Sequence, residues 1–536
     1  MKRNQFFVLF TMILSLLFAF QISAMADNAD LPDDLKEIGE EAFYGDQSIT
    51  SLTIPDGAEA IGDRAFAYSG LEQIYIPASV TVIPDDAFDG VQGLTIVSAF
   101  DAPARAYAFE HQGISWQGDV PITEFTFPDS NFRSLVSGYD ANADGILSVA
   151  EIQAVTEITC DAQGIADLRG IEFFSELTSL ICQGNQLTSL DVSNNVALTV
   201  LRCWDNQLTS LDVSQNPKLE ILDCHGNGIS ALDVSHNPEL TLLSTHHLPL
   251  GSLDVSHNSA LETLVCFQNG LTALNVTNNP ALTQLYCYEN QLTSLNVSHN
   301  PALTTLSCYD NALTALDVSQ NPALETLACS NNQLTSIDVS NKQNLQELSC
   351  NNNSLLESVN VSNNASLVSL YCNACPNLTN LDVQSCSLLE LLSANGSGLT
   401  SLDVSNNRKL KILWCWRNNL TSLDLSQNTA LVRVNLSANQ KMNQLTLGQA
   451  PNLEMLWVQN TELPRIDISG SPIIIDAYRN GERAEFYGDG QEAPDGEGGF
   501  YGYMSGNGIN SYSQAKLDHY NFKVDTDISE NVIYTA

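Results

Sequence analysis

The sequence predicts a β-rich solenoid with a curved parallel sheet, in two stacks joined by a helical segment. Three observations predict it. The chain repeats itself at two fixed periods. Each copy spaces its apolar residues as a short strand buried on one side would. Between the two repeat regions lies GYDANADGILSVAEI, which fits neither period and reads as a loop between an entering helix, Asn131 to Ser137, and an exiting one.

The first element is a leader. Lys2 and Arg3 precede an apolar run from Phe6 to Phe20, and Ala24-Met25-Ala26 is a small-x-small cleavage site. The run is too short for a stable membrane span, so residues 1–26 read as a secretory signal. No later apolar run approaches the length of a span. The mature chain is therefore expected to be secreted or surface-associated, without an integral membrane segment. The chain carries 21 basic and 62 acidic residues, a net charge of -41. Such a surface repels phosphate backbones, which argues against nucleic acid as a partner.

Residues 27–117 form the first repeat region. IGEEAF (Ile38 to Phe43) returns as IGDRAF (Ile61 to Phe66) and IPDDAF (Ile83 to Phe88), with TIP (Thr53 to Pro55) and YIP (Tyr75 to Pro77) between them. The unit holds one short strand per copy. It resembles the BspA-like leucine-rich repeats of bacterial surface proteins. The segment Ala102 to Trp116 reads as a helix and turn closing this stack.

Residues 121–154 are the helical segment. From Asp140 to Glu151 the chain matches D-x-[DN]-x-[DN]-G-x5-E at every specified position. Oxygens of Asp140, Asn142 and Asp144 wrap a Ca²⁺ ion in such a loop. Gly145 permits the turn, Ile146 lends a carbonyl, Ser148 stands near the ion, and Glu151 closes the site with both oxygens. Ser148 also fits the cap of the exiting helix. One structural calcium site is expected. The alternative is a cap that keeps the sequence without the ion.

Residues 155–470 repeat L-x-x-L-x-C-x-x-N-x-L-T-S-L-D-V-S-x-N-P-x with a 21-residue period. This is the leucine-rich-repeat signature. Leu198, Leu201, Leu208, Leu211 and Val213 are expected in the core. The column Asn185, Asn206, Asn227, Asn269, Asn290, Asn311, Asn332 and Asn353 is expected to satisfy backbone groups at one bend, and Asn216 heads a second column at the other. The Asp-or-Asn column of Asp212, Asp233 and Asp254 is expected outside. The copies resemble internalin-like repeats of secreted bacterial proteins. The resemblance implies an EF-hand-like helical cap ahead of the repeats and binding to proteins on other cells.

Eleven of the thirteen cysteines fall in the third core column, from Cys160 to Cys415, where Thr245 and Ala394 also stand. Small substitutes argue for a buried filler. Rungs about 4.8 Å apart would strain a bridge between neighbours, and thiolates in an apolar core are costly. Inter-rung disulfides and a metal column remain the alternatives. Cys375 and Cys386 lie off the column, and a local bridge between them is a further reading.

The columns flanking the cysteines point outward. They place Trp204, His225, His246, Phe267, Tyr288 and Tyr309 on successive rungs, with Tyr286, Trp414 and Trp416 nearby. Aromatic residues on a concave sheet are typical binding anchors. They are also sheet formers that stabilise by cross-strand stacking. His225, His246 and His247 near Asp223 admit a zinc site, with no spacing motif behind it. No catalytic motif stands out, and the Ser, Asp and His residues sit in columns that explain them. Residues 471–536, rich in Gly, Asp and Tyr, are expected to cap the stack and run on as a flexible tail. The sequence thus reads as a non-enzymatic adhesin-like protein whose concave aromatic face binds a protein on a host or neighbouring cell. A glycan-binding module and a structural spacer are the alternatives.

Overall fold

The computed structural model describes residues 31–464 and 466–473, with the strand backbones of residues 523–524 and 532–533. The leader expected at 1–26 lies outside them, as does most of the tail from 471. The chain divides into two compact units, Met1–Thr199 and Val200–Ala536.

In the first unit, strands Ser51–Thr53, Gln73–Tyr75, Leu94–Val97 and Ile114–Gln117 pair in parallel in that order. The phenylalanine that ends each repeated phrase builds a ladder beneath them. Phe43 stacks on Phe66 at 5.3 Å, and Phe66 on Phe88 at 5.1 Å. The closing helix spans Pro103–Glu110, and a strand follows it where a turn was expected.

Helices Ser130–Val136 and Val149–Ala154 flank the loop at Asp140. Asp129 caps the first, accepting from Asn131 N at 2.8 Å and Phe132 N at 3.1 Å. Ser148 caps the second as expected, in a capping box with Glu151. The first two long-period copies belong to this unit because they pack on these helices. Ala166 N donates to Asp129 Oδ2 at 2.8 Å, and the Phe127 ring meets Phe132, Phe173 and Phe174. Phe173 also meets Phe100, Phe109 and Trp116 of the first stack.

The second unit is a leucine-rich-repeat solenoid. Three-residue strands pair in parallel and in register, so that Leu201, Leu222, Leu243, Leu264, Leu285 and Leu306 form one buried row. A chain that returns to the same edge after each turn can pair only in parallel. The period lengthens by one residue after Leu348, which pairs with Leu370, and Leu370 in turn pairs with Leu392. The extra residue is taken up in the outer arc, where Ser336–Asp338 pairs with Ser358–Asn360.

Two amide ladders close the bends. Asn290 Nδ2 donates to Cys266 O at 2.9 Å and Cys287 O at 3.0 Å, while its Oδ1 accepts from Leu271 N at 2.9 Å. At the other bend Asn258 Nδ2 donates to Val234 O and Asn237 O, both at 2.9 Å. Lys342 takes one place in that ladder, donating from Nζ to Val318 O at 2.6 Å. On the outer arc Asp212, Asp233 and Asp254 are exposed, as expected. Each Oδ1 accepts from the serine N–H two residues on at 2.9 Å, a turn that uses up the aspartate locally.

All thirteen cysteines are buried, and none forms a disulfide. Burial pushes the Cys266 and Cys415 thiols up to about 12, so they stay protonated at neutral pH. The column is packing, and its sulfurs behave as small apolar groups. No Cys375–Cys386 bridge forms. The two belong to opposite bends, where Cys375 Sγ donates to Cys350 O at 3.5 Å and Cys386 Sγ to Val361 O at 3.6 Å.

Candidate functional site

One residue past the buried column of cysteines and Thr245, the chain turns outward. Six such positions stack ring on ring. Centroids are 5.1 Å apart for Trp204–His225, 3.8 Å for His225–His246, 4.4 Å for His246–Phe267, 4.3 Å for Phe267–Tyr288 and 4.3 Å for Tyr288–Tyr309. Every interplanar angle lies between 10° and 24°. The rung spacing of a sheet, about 4.8 Å, is near the thickness of stacked rings, so one aromatic per rung stacks without distortion.

The consequence is that the rings spend their faces on one another. Tyr288 is only 6% exposed, and the other five are half-buried. What remains for a ligand is a ridge of ring edges. Its polar atoms are partly engaged from the neighbouring column. Asp223 Oδ1 holds His225 Nδ1 at 2.5 Å, and Ser244 Oγ lies 3.1 Å from His246 Nδ1. Burial, with His225 and His247 beside it, holds the His246 imidazole down at about 4, so the ring is neutral at neutral pH. The histidines stack and do not converge on a point, which removes the geometric basis for zinc there. Tyr286 sits half-buried in the adjoining column, its hydroxyl 3.4 Å from Gln284 Oε1.

Beyond Tyr309 the same column changes character. Ser330, Asn351, Asn373 and Asn395 form a hydrogen-bonded ladder, with Asn373 Nδ2 donating to Asn351 Oδ1 at 2.9 Å and Asn395 N to Asn373 Oδ1 at 2.8 Å. Trp414 and Trp416 lie past this ladder and form a separate patch, where the Arg417 guanidinium sits 5.2 Å over the Trp416 ring.

Three features escaped the sequence reading. A shallow, open groove of about 540 Å³ lies beside the stack, lined by His247, Leu248, Pro249, Gln268 and Gly270. Its signal was a break in the columns, with Thr245 in the cysteine column and Leu248 in the asparagine column. The residue two after each column cysteine adopts a left-handed backbone, with φ of 50° at Asp205, 54° at Gln268, 51° at Glu289 and 51° at Asp310. Mixed side chains there hide a uniform backbone. Finally, Glu347 on the outward face is desolvated, which pushes its carboxyl up to about 7.

The loop from Asp140 to Glu151 is wound by hydrogen bonds from its own backbone to its side chains. Asp140 Oδ2 accepts from Gly145 N at 2.8 Å, Asn142 Oδ1 from Asp144 N at 3.0 Å, and Asp144 Oδ1 from Ile146 N at 2.8 Å. Ala143 and Gly145 take the left-handed backbone that the bend needs. The donor set is all hard oxygen and suits Ca²⁺. Glu151 is turned to its helix instead. Its Oε2 accepts from Ser148 N and Oγ, and its Oε1 from Ala141 N, all at 2.8 Å. Among the described residues no three His, Cys, Asp or Glu side chains gather closely enough to hold a metal ion. A Ca²⁺ ion held by this loop would have to take Glu151 from those donors.

No helix among the described residues is long and apolar enough to cross a membrane. The model of the BspA type leucine rich repeat region matches residues 17–133. Internalin J of Listeria monocytogenes serotype 4b is 40% identical over 70 residues, which is 13% of this chain and 8% of that protein's length. The solved functional domain of InlJ from Listeria monocytogenes, described as including a cysteine ladder, is 36% identical with a TM-score of 0.51, over 60% of this chain and 77% of that one. The internalin inlF from the same species is 21% identical with a TM-score of 0.46, over 61% of this chain and 97% of its own. The parallel leucine rows, the BspA-type repeats and the relative matched over most of its length lead to one assignment: this chain belongs to the internalin-like family of bacterial leucine-rich-repeat proteins.

Proposed function

We propose that this chain is a secreted or surface-associated bacterial binding protein, an adhesin that recognises a protein on a host or neighbouring cell. Recognition uses the ring-lined outward face of the second unit. The observation that carries the reading is the continuous ridge from Trp204 to Tyr309 with a groove beside it. Contiguous aromatic edges with polar tips are the surface that protein interfaces favour. A glycan module is the second reading, and the geometry favours it less. Sugars dock on open ring faces, and here those faces are occupied by neighbouring rings. The helical segment ahead of the long repeats acts as an EF-hand-like cap. Asp140, Asn142, Asp144, the Ile146 carbonyl, Ser148 and Glu151 would hold one calcium ion there. Its role is to stiffen that cap.

The test is binding of the mature protein, with calcium, to intact epithelial cells and extracted surface proteins. A variant carrying Trp204→Ser, Phe267→Ser, Tyr288→Ser and Tyr309→Ser runs beside it. A milder variant, Trp204→Ser with Tyr309→Ser, changes only the ends of the stack and guards against misfolding. Wild type is expected to bind, and the folded variants to bind at least about tenfold more weakly. Equal binding by all three, or by none, defeats the reading and leaves the stack as a structural device in a spacer.

A further inference from the structure

The second unit segregates its charge. From residue 219 to residue 341 there are eleven acidic side chains and no Lys or Arg. Residues 408–441 then hold six basic side chains against one acid, Asp424, in a chain of net charge -41. Of the six, Lys411 is paired with Glu390 at 2.8 Å, and the buried Arg433 lies 3.8 Å from Glu454. Arg408, Lys409 and Lys441 are exposed and have no ion pair among the described residues.

The fold gathers these residues across the width of one face. Arg408 and Lys409 sit in the bend leading into strand Ile412–Trp414, and Arg417 sits in the bend leaving it. Between the two bends stand Trp414 and Trp416, the latter covered by the Arg417 guanidinium. Arg417 and Lys441 line one groove of about 350 Å³ with Asn419, Gln440 and Asn460. Cations at both edges, indoles between them and amides in the groove form a surface for carboxylates, because guanidinium and amide donors both satisfy carboxylate oxygens.

We propose that this patch is a second docking surface, which takes a short acidic segment of the partner protein. The inference rests on the protein-binding reading above and adds the chemistry of one contact. The length of the patch sets the ligand. Two rungs span roughly 10 Å along the sheet, enough for a few residues of peptide. A long polyanion such as a sulfated polysaccharide would run off the patch onto a strongly acidic surface, which repels it.

The probe is a fluorescent hexaglutamate peptide titrated into the mature protein at low and at physiological salt. Hexalysine and a sulfated hexasaccharide serve as comparison arms. Hexaglutamate is expected to bind saturably and to weaken as salt rises. Arg417→Glu with Lys441→Glu, and separately Arg408→Glu with Lys409→Glu, are each expected to weaken it at least about tenfold. All four side chains are exposed, so both variants are expected to fold. The ring-end variant Trp204→Ser with Tyr309→Ser is expected to bind the peptide as wild type does. This separates the patch from the ridge: loss of cell binding with peptide binding intact defeats neither proposal. No saturable hexaglutamate binding overturns the proposal. So does unchanged binding in both charge-reversed variants, or tighter binding of the sulfated hexasaccharide at the same residues.

Discussion

Asn353→Ala is expected to destabilise its rungs by about 3 kcal/mol, the cost of leaving buried backbone groups without partners. Asn353 is fully buried. Its Nδ2 donates to Cys329 O at 3.2 Å and Cys350 O at 2.9 Å, and its Oδ1 accepts from Leu334 N at 3.0 Å. Each orphaned group costs about 1–3 kcal/mol, and the three are not independent. The chain's own variation grades the effect. Where the column departs from asparagine, Cys375 Sγ reaches Cys350 O, and Ser397 Oγ donates to Cys372 O at 2.6 Å. Both keep one donor and give up the rest. Asn353→Ser is therefore expected to fall between wild type and Asn353→Ala. Native-state hydrogen exchange checks the order, with the Leu334 amide as reporter. Exchange there should quicken from wild type to Ser to Ala. Equal exchange in all three would mean the ladder is ornamental. The readout has to be local, because a long repeat array need not unfold in one step.

Phe127→Ala is expected to cost the first unit about 3–5 kcal/mol, the range for emptying a buried phenylalanine site. Phe127 is fully buried, with ring centroids of Phe132, Phe173 and Phe174 at 5.8, 6.0 and 6.4 Å. Gly170, at φ 104°, lies so close to this ring that any Cβ would strike it. The site is therefore tight on its backbone side and cannot close over a lost ring. The second unit contains none of these contacts. Calorimetry is expected to show the first unit's transition moving down while the second unit's stays in place. A uniform shift of both would mean that the two units unfold as one.

Much of the fold was legible because the repeat states each column about a dozen times. The leucine rows, both asparagine ladders and the buried cysteines follow from column position and side-chain size. The Asp140–Glu151 loop was legible as a list of oxygen donors but not as a geometry. Nothing in D-x-N-x-D-G reveals that Glu151 prefers its capping box to the loop's centre. The candidate face was legible as a set of columns, and its state was not. Outward position says nothing about whether neighbouring rings lie flat on one another, and that decides whether faces or edges meet a ligand. The groove at His247 was missed because one copy's departures, Thr245 and Leu248, look like ordinary drift within a repeat. The left-handed column was missed because Asp, Gln, Glu and His occupy it in turn.

The uneven placement of cations has a further outcome. Trypsin-like proteases cut after exposed lysine or arginine in chain that can be drawn into a cleft. Between Lys218 and Arg408 the only such residue is Lys342, which is 4% exposed and holds Val318 O with its ammonium group. Nine rungs of the sheet, including the ring ridge from His225 onward, thus offer these enzymes no accessible cleavage point. A surface protein working among digestive or inflammatory proteases would keep that face whole while its ends were trimmed.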